Sequence, residues 1–421
     1  MAASQHGART LQSAATPASG LAPDSSAGLA SDLAADWKVR APARLGEVSP
    51  PPPGRRFTID GDDGLEARIA GFCATASHGV QRIVRRRKLE ALWLGGGYGR
   101  GEGGVLRLPG GDQPYNDLEF YIFIRGNRLL SRRLYGPPLR ALAEAMGQTA
   151  RIDVEFHIES CAHLRRCPPS MFYYDLVAGH YVAAGADDLL LARHADPRRL
   201  PVSEAARLLM NRGWGLLLAA QRLSRREFSP EAADFVARNI AKAQLAFGDA
   251  VLTVYGQYHW SCLERHRRLS ALTEADPLPW MRELREHHRA GVEFKLHPQR
   301  RTTSAELLTA EHRRVTAFAR QVWLWVESRR LGIRFDSPRD YATSRVDKWP
   351  NSSPWRNRLL NARIAGPVAL WSPQSKQHPR GRVLNQLASL LWDGEGAPRP
   401  ATSERGDKPF ECCRRLWMRC Q

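Results

Sequence analysis

The chain lacks any apolar run approaching the ~20 residues that a membrane span needs. Its longest near-candidates, such as Trp214 to Ala220, are far too short, so a spanning protein is excluded and no membrane partner is expected. It also lacks a basic segment followed by an apolar block near its start, which argues against a secretory signal. The Ala- and Ser-rich first residues would suit an organellar transit peptide, but Asp24, Asp32 and Asp36 argue against one. Cysteine is scarce, with seven in 421 residues scattered from Cys73 to Cys420. An odd, dispersed set fits reduced thiols and a cytoplasmic location rather than a disulfide framework. No internal repeat and no sustained heptad is present. Acidic side chains are the minority, 43 Asp and Glu against 62 Lys and Arg, which leaves a net charge of +19. That excess points to an anionic partner or substrate without saying which.

What is present divides along the chain. Residues 1–56 are mostly Ala, Ser, Pro and Gly, ending in the run Pro50 to Pro53. Such a composition cannot offset its ordering entropy and reads as a disordered arm. Residues 57–160 read as helix, strand, loop, strand, helix, strand. The helix spans Leu65 to Leu89 with a basic end at Arg85 to Lys88, and the first strand is Glu90 to Leu94. A glycine-dense loop, Gly95 to Gly104, precedes the strand Asp117 to Ile124. A helix from Leu129 to Met146, interrupted or delayed by Pro137 and Pro138, leads to the strand Arg151 to Ile158. Residues 161–335 are helical in period. Ser229-Pro230 is an N-cap and first-turn pair, and Val236, Ile240, Ala243, Phe247, Val251 and Val254 form an apolar stripe. A basic, partly helical extension covers 336–395, with its last helix at Val383 to Trp392, and 396–421 reads as a loose tail. The fold class is α+β, with a mainly α-helical second half.

The chemistry lies in the first half. Side chains alternate along a strand, so Asp117 and Glu119 project from one face while Leu118 and Phe120 pack on the other. Asp153 and Glu155 share a face of the following strand in the same way. Up to four acids then converge, and hard oxygen ligands at that spacing suit Mg²⁺. A glycine run after a strand lets the backbone approach a ligand closely, and its N–H groups can cradle an anion, with Arg100 adding a charge-assisted contact.

Three segments together resemble the polymerase-beta-type nucleotidyltransferase superfamily: Leu94-Gly95-Gly96-Gly97-Tyr98-Gly99-Arg100-Gly101-Glu102, Asn116-Asp117-Leu118-Glu119 and Arg151-Ile152-Asp153-Val154. The resemblance covers Glu90 to Ile158. It implies a mixed sheet with flanking helices. Asp117 and Glu119 would bind two Mg²⁺ ions, Asp153 would be the third ligand, preferred to Glu155, and Gly96 and Gly97 would hold the phosphates of a nucleoside triphosphate, ATP foremost. The implied reaction transfers a nucleoside monophosphate to an acceptor hydroxyl and releases pyrophosphate. The alternative is an inactive relative that binds nucleotide or RNA. Two departures stand out: Gly97 occupies a position where many members have Ser, and the connection from Gly97 to Asp117 is long, which suggests an inserted hairpin or lid. The acceptor stays open among antibiotic, protein side chain, RNA end and phosphorylated metabolite.

Weaker candidates complete the reading. Cys161, His163 and Cys167 have zinc-ligand chemistry but irregular spacing, which makes a structural zinc the lesser reading. His157 continues the acid-bearing face, either as a proton-transfer group or as a polar rim residue. Arg238, Lys242 and Asp249 lie opposite the apolar stripe of their helix and could reach the triphosphate, although a solvated face is the simpler reading. Arg282 and His287 match the Arg-x4-His spacing of a helical ribonuclease family, a reading that requires both to be exposed in one groove.

Overall fold

The computed structural model describes residues 55–189, 191–272, 278–300, 304–350, 352–392 and 408–420. Nearly all of the expected N-terminal arm lies outside the described residues. The sheet-bearing half begins with helix α1 (Asp63–Ile83), whose N-cap Asp62 accepts from the Leu65 N–H. Strand β1 (Leu89–Leu94), the single turn α2 (Gly96–Gly99), the small hairpin β2 (Val105–Leu106) and β3 (Gln113–Pro114), and β4 (Leu118–Ile124) follow. The hairpin occupies the long connection. Helix α3 (Arg128–Ala150) then leads to β5 (Val154–Ser160). Pro137 and Pro138 sit inside α3 without interrupting it, because Tyr135, Leu139 and Met146 are buried on both sides of them and hold the helix down.

The sheet order is β5-β4-β1-β6, with β4 and β5 parallel and β1 antiparallel to both of its neighbours. Its fourth strand, β6 (Tyr181–Gly185), lies beyond residue 160. The boundary expected there is therefore too early, because the edge of β1 is paired by a strand from the segment read as helical. Leu118, Phe120, Ile122 and Ile124 pack with α1 and α3 on one face, while Tyr121 and Phe123 pack with Cys161 and Cys167 on the other. Both faces of β4 are covered, which explains its nearly continuous apolar run. Helices α4 (Cys161–Leu164) and α5 (Met171–Ala178) contribute to this second face.

The helical half comprises α6 (Ser203–Leu223), α7 (Pro230–Val254), α8 (Cys262–Ala271), α9 (Met281–Leu296) and α10 (Ala305–Leu331). After it come α11 (Pro338–Thr343), α12 (Pro354–Ala365), α13 (Pro379–Leu387) and α14 (Lys408–Cys420). The segment expected as a loose tail therefore contains a helix, and Trp417 of α14 stacks on Trp214 of α6 at 5.2 Å. Leu384, Leu387 and Trp392 belong to the same core as Phe247 and Trp323, so the C-terminal extension is part of the helical body. Helix α7 packs against α6, α9 and α10 and is buried well beyond the predicted stripe. No helix among the described residues is long and apolar enough to cross a membrane.

Candidate functional site

Asp117 precedes the first residue of β4, and Glu119 projects from the same face. The glycine loop is tied to this point by the Gly95 N–H, which donates to the Glu119 carbonyl (2.8 Å). Gly96 has φ +62, and a Cβ there would come within 3.1 Å of Glu119 Oε2. Only glycine takes this backbone shape without strain while leaving the carboxylate in place. A Cβ at Gly97 would stand 3.0 Å from the Glu102 carbonyl oxygen, so this position too has little room for a side chain. The Gly99 N–H is the first of the turn to bond back, onto the Gly95 carbonyl (2.9 Å), so the Gly96 and Gly97 N–H groups lie outside the turn's own ladder.

A cavity of about 360 Å³ opens over these groups, within the usual range for small-molecule sites. One wall is Gly96, Gly97, Asn116, Asp117 and Glu119; the opposite wall comes from α6, α7 and α9. Arg238, Lys242 and Asp249 line it, so the face of α7 opposite the stripe is turned to the cavity rather than to solvent. Most cations of the wall are engaged: Arg100 with Asp175 (3.4 Å), Arg207 with Glu204 (2.6 Å), Arg238 with Asp234 (3.4 Å), Arg265 with Asp249 (2.7 Å) and Lys295 with Glu102 (3.5 Å). Lys242 and Arg212 form no hydrogen bond or ion pair among the described residues. Burial, then the charges of Arg212 and Arg238, bring the Lys242 ammonium down to about 8, with Asp117 and Glu119 pulling the other way. Burial, then the Glu119 charge and more weakly Glu155, push the Asp117 carboxyl up to about 7 against the pull of Lys242. Two carboxylates thus share one cavity with two cations that no ion pair holds, Lys242 under the charges of Asp117 and Glu119 and Arg212 under that of Asp249.

The remaining acids separate. In the parallel ladder Glu119 pairs with Glu155 and Tyr121 with His157, which puts Glu155 beside Glu119 on the acid-bearing face. Glu155 accepts from His157 Nε2 (3.0 Å), and that bond holds its carboxyl below the usual range. His157 stacks on Tyr121, whose hydroxyl donates to Glu119 Oε2 (3.2 Å). Asp153 is exposed just before β5 and, like Glu155, does not line the cavity. Among the described residues no group of three His, Cys, Asp or Glu side chains is placed to hold a metal ion. The donor set that faces the cavity is the pair Asp117 and Glu119. Two carboxylates suffice for a hard divalent cation that takes its other ligands from water and substrate phosphates, and such a cation would relieve the burial and the Glu119 charge that raise Asp117.

Some side chains read from the sequence prove to be structural. Arg100 lies in the cavity wall but is committed to Asp175. Cys161 and Cys167 are buried with Trp93 and Tyr173, and burial raises both thiols, so they behave as core residues. His287 is buried between Phe247 and Phe318, its imidazole pulled down to about 4 by burial and Arg314. That location removes the ribonuclease reading.

Two groups were missed. Glu102, inside the glycine loop, accepts from Ser261 Oγ (2.5 Å), the Cys262 N–H (2.9 Å) and Lys295 Nζ (3.5 Å). Burial works against its charge, but Lys295 and these bonds outweigh it and hold the carboxyl at about 2. It fastens the loop to α8 and α9. Tyr258 donates to Asp175 (3.1 Å) and accepts from Arg265 Nη1 (3.0 Å), while Arg265 reaches Asp249. This buried network joins the sheet half to the helical half beneath the cavity, and no local pattern announces it. No protein-family model, no curated protein and no solved structure matches the chain.

Proposed function

We propose that the protein is a metal-dependent nucleotidyltransferase that transfers a nucleoside monophosphate from a nucleoside triphosphate, ATP foremost, to an acceptor hydroxyl and releases pyrophosphate. The observation that carries the reading is the opposition of Asp117 and Glu119, under the Gly96-Gly97 turn, to the uncommitted cations Lys242 and Arg212 across one cavity. Mg²⁺ bound by Asp117 and Glu119 would neutralise phosphate charge and lower the pKa of a bound hydroxyl. Lys242 and Arg212 supply charge-assisted donors to phosphate oxygens. The Gly96 and Gly97 N–H groups approach the same phosphates without side-chain interference. Tyr121 orients Glu119 through its hydroxyl, and of the two candidate third acids Glu155 pairs with Glu119 in register while Asp153 lies one residue before Val154, the partner of Leu118.

A second reading is a protein that binds metal and triphosphate without turnover. The engagement of Glu155 by His157 favours it, because a third carboxylate held by an ion pair is not available to polarise a nucleophile. One experiment separates the two. The protein is incubated with Mg²⁺, each labelled triphosphate and a cell extract, and pyrophosphate and labelled acceptor are measured. Turnover that disappears in Asp117→Asn with Glu119→Gln supports the transferase. A triphosphate-dependent rise in Tm without pyrophosphate supports the binding protein, and unchanged turnover in the double variant overturns the assignment.

A further inference from the structure

At the far end of the same strands the surface has a different character. β1 begins where β4 ends, with Leu89 paired to Ile124 and the Arg125 N–H donating to the Lys88 carbonyl (2.8 Å). The α1–β1 turn, Arg85 to Lys88, therefore lies beside the β4–α3 turn. The first turns of α3 expose Leu129, Leu130 and Leu134 at 72%, 69% and 61%. These leucines are held in place: Asn127 Oδ1 accepts from the Leu129 and Leu130 N–H groups (2.8 and 3.2 Å), and Tyr135 and Leu139 are buried behind them. Exposed Arg85, Arg86, Arg87 and Lys88 lie in the adjoining turn, and exposed Arg125, Arg132 and Arg133 flank the leucines along the chain. The acids of this edge are already ion-paired, Glu90 with Arg125 (3.1 Å) and Glu159 with Arg128 (3.1 Å) and Arg132 (3.5 Å).

We propose that this end of the sheet is a docking surface for an anionic lipid membrane. An ordered apolar cluster flanked by cations matches a bilayer surface, where leucines enter the headgroup and acyl boundary and the basic side chains meet lipid phosphates. Single-stranded nucleic acid binds chiefly by stacking its bases on aromatic side chains, and the exposed apolar groups here are aliphatic. The absence of a spanning segment, which led to the expectation of no membrane partner, does not bear on a surface that lies on a bilayer. The cavity opens at the other end of the seven-residue strand β4, about 20 Å away, and stays accessible in the docked protein.

The test is co-sedimentation of the full chain at physiological ionic strength with vesicles of phosphatidylcholine, with and without phosphatidylglycerol. Binding is expected only to the anionic vesicles. Leu129→Gln, Leu130→Gln and Leu134→Gln together, all exposed and replaced by an equally good helix former, should lower the partition at least tenfold with an unchanged Tm. Arg87→Glu with Arg133→Glu should do the same, since each cation near the surface is worth about fivefold. Equal binding to neutral vesicles, no binding to either, or anionic binding that survives both variants overturns the proposal. So does retention of single-stranded RNA that is weakened by the charge variant and untouched by the leucine variant.

Discussion

Replacing Asp117 with Asn should make the protein more stable and abolish its response to metal and triphosphate. The Asp117 carboxyl stands at about 7 instead of 3.8 because it is buried beside Glu119. Between those values the folded form keeps a proton that the unfolded chain has released, so the stability of the wild type falls as pH rises through this window. Above pH 7 the full cost is about 4 kcal/mol, from the difference between 3.8 and about 7. Asn carries no charge and escapes that cost, while Lys242 loses a favourable neighbour, so a net gain of about 2 kcal/mol is expected. In Tm this is about 2 °C for a chain of 421 residues. Melting curves of both proteins across pH should show a gap near zero around pH 3.8, widening to a plateau above pH 7. Mg²⁺ with triphosphate should raise the Tm of the wild type and leave the variant unmoved. A variant less stable than the wild type at pH 8, or a gap independent of pH, would refute the reasoning that Asp117 is held ready for a cation at the expense of stability.

Further outcomes follow from the same geometry. Lys242→Gln should keep the fold and weaken metal-triphosphate binding about tenfold by titration calorimetry, because it removes an uncommitted charge-assisted donor. Gly96→Ala, forced to φ +62 with its methyl 3.1 Å from Glu119 Oε2, should cost about 1–2 kcal/mol in urea unfolding and lose triphosphate binding. Glu102→Gln should cost about 3 kcal/mol near neutral pH, since Glu102 stands at about 2 instead of 4.5. The sign follows from the lowered value: this stability is complete above pH 4.5 and is lost as pH falls toward 2, so the difference between Glu102→Gln and the wild type should shrink over that range.

Local elements were largely legible because they depend on near neighbours. The Ser229 cap, the Gly332 stop of α10 at φ +67 and the alternation of Leu118 and Phe120 against Asp117 and Glu119 all follow from side-chain chemistry at fixed spacing. β6 was hidden because Tyr181–Gly185 is short and takes its partner, β1, from about ninety residues earlier. α14 was missed because Lys408–Cys420 follows a Gly- and Pro-rich stretch that reads as a loose tail, and its place is fixed by contacts such as Trp417 on Trp214.

The same division holds at the site. The sequence alone determined the acid pair and the glycine turn, since one strand register and one tight turn bring Asp117, Glu119, Gly96 and Gly97 together with few alternatives. Tertiary structure alone set where the other acids fall: Glu155 pairs with Glu119 once β4 and β5 are joined, yet it is held by His157 and, like Asp153, stays outside the cavity lining. It also decided which of the many cations count. Charge can be read from residue types, but whether a charge is already neutralised depends on partners distant in the chain. Arg100 is consumed by Asp175, Arg265 by Asp249 and Lys295 by Glu102, while Lys242 and Arg212 remain uncommitted opposite the carboxylates.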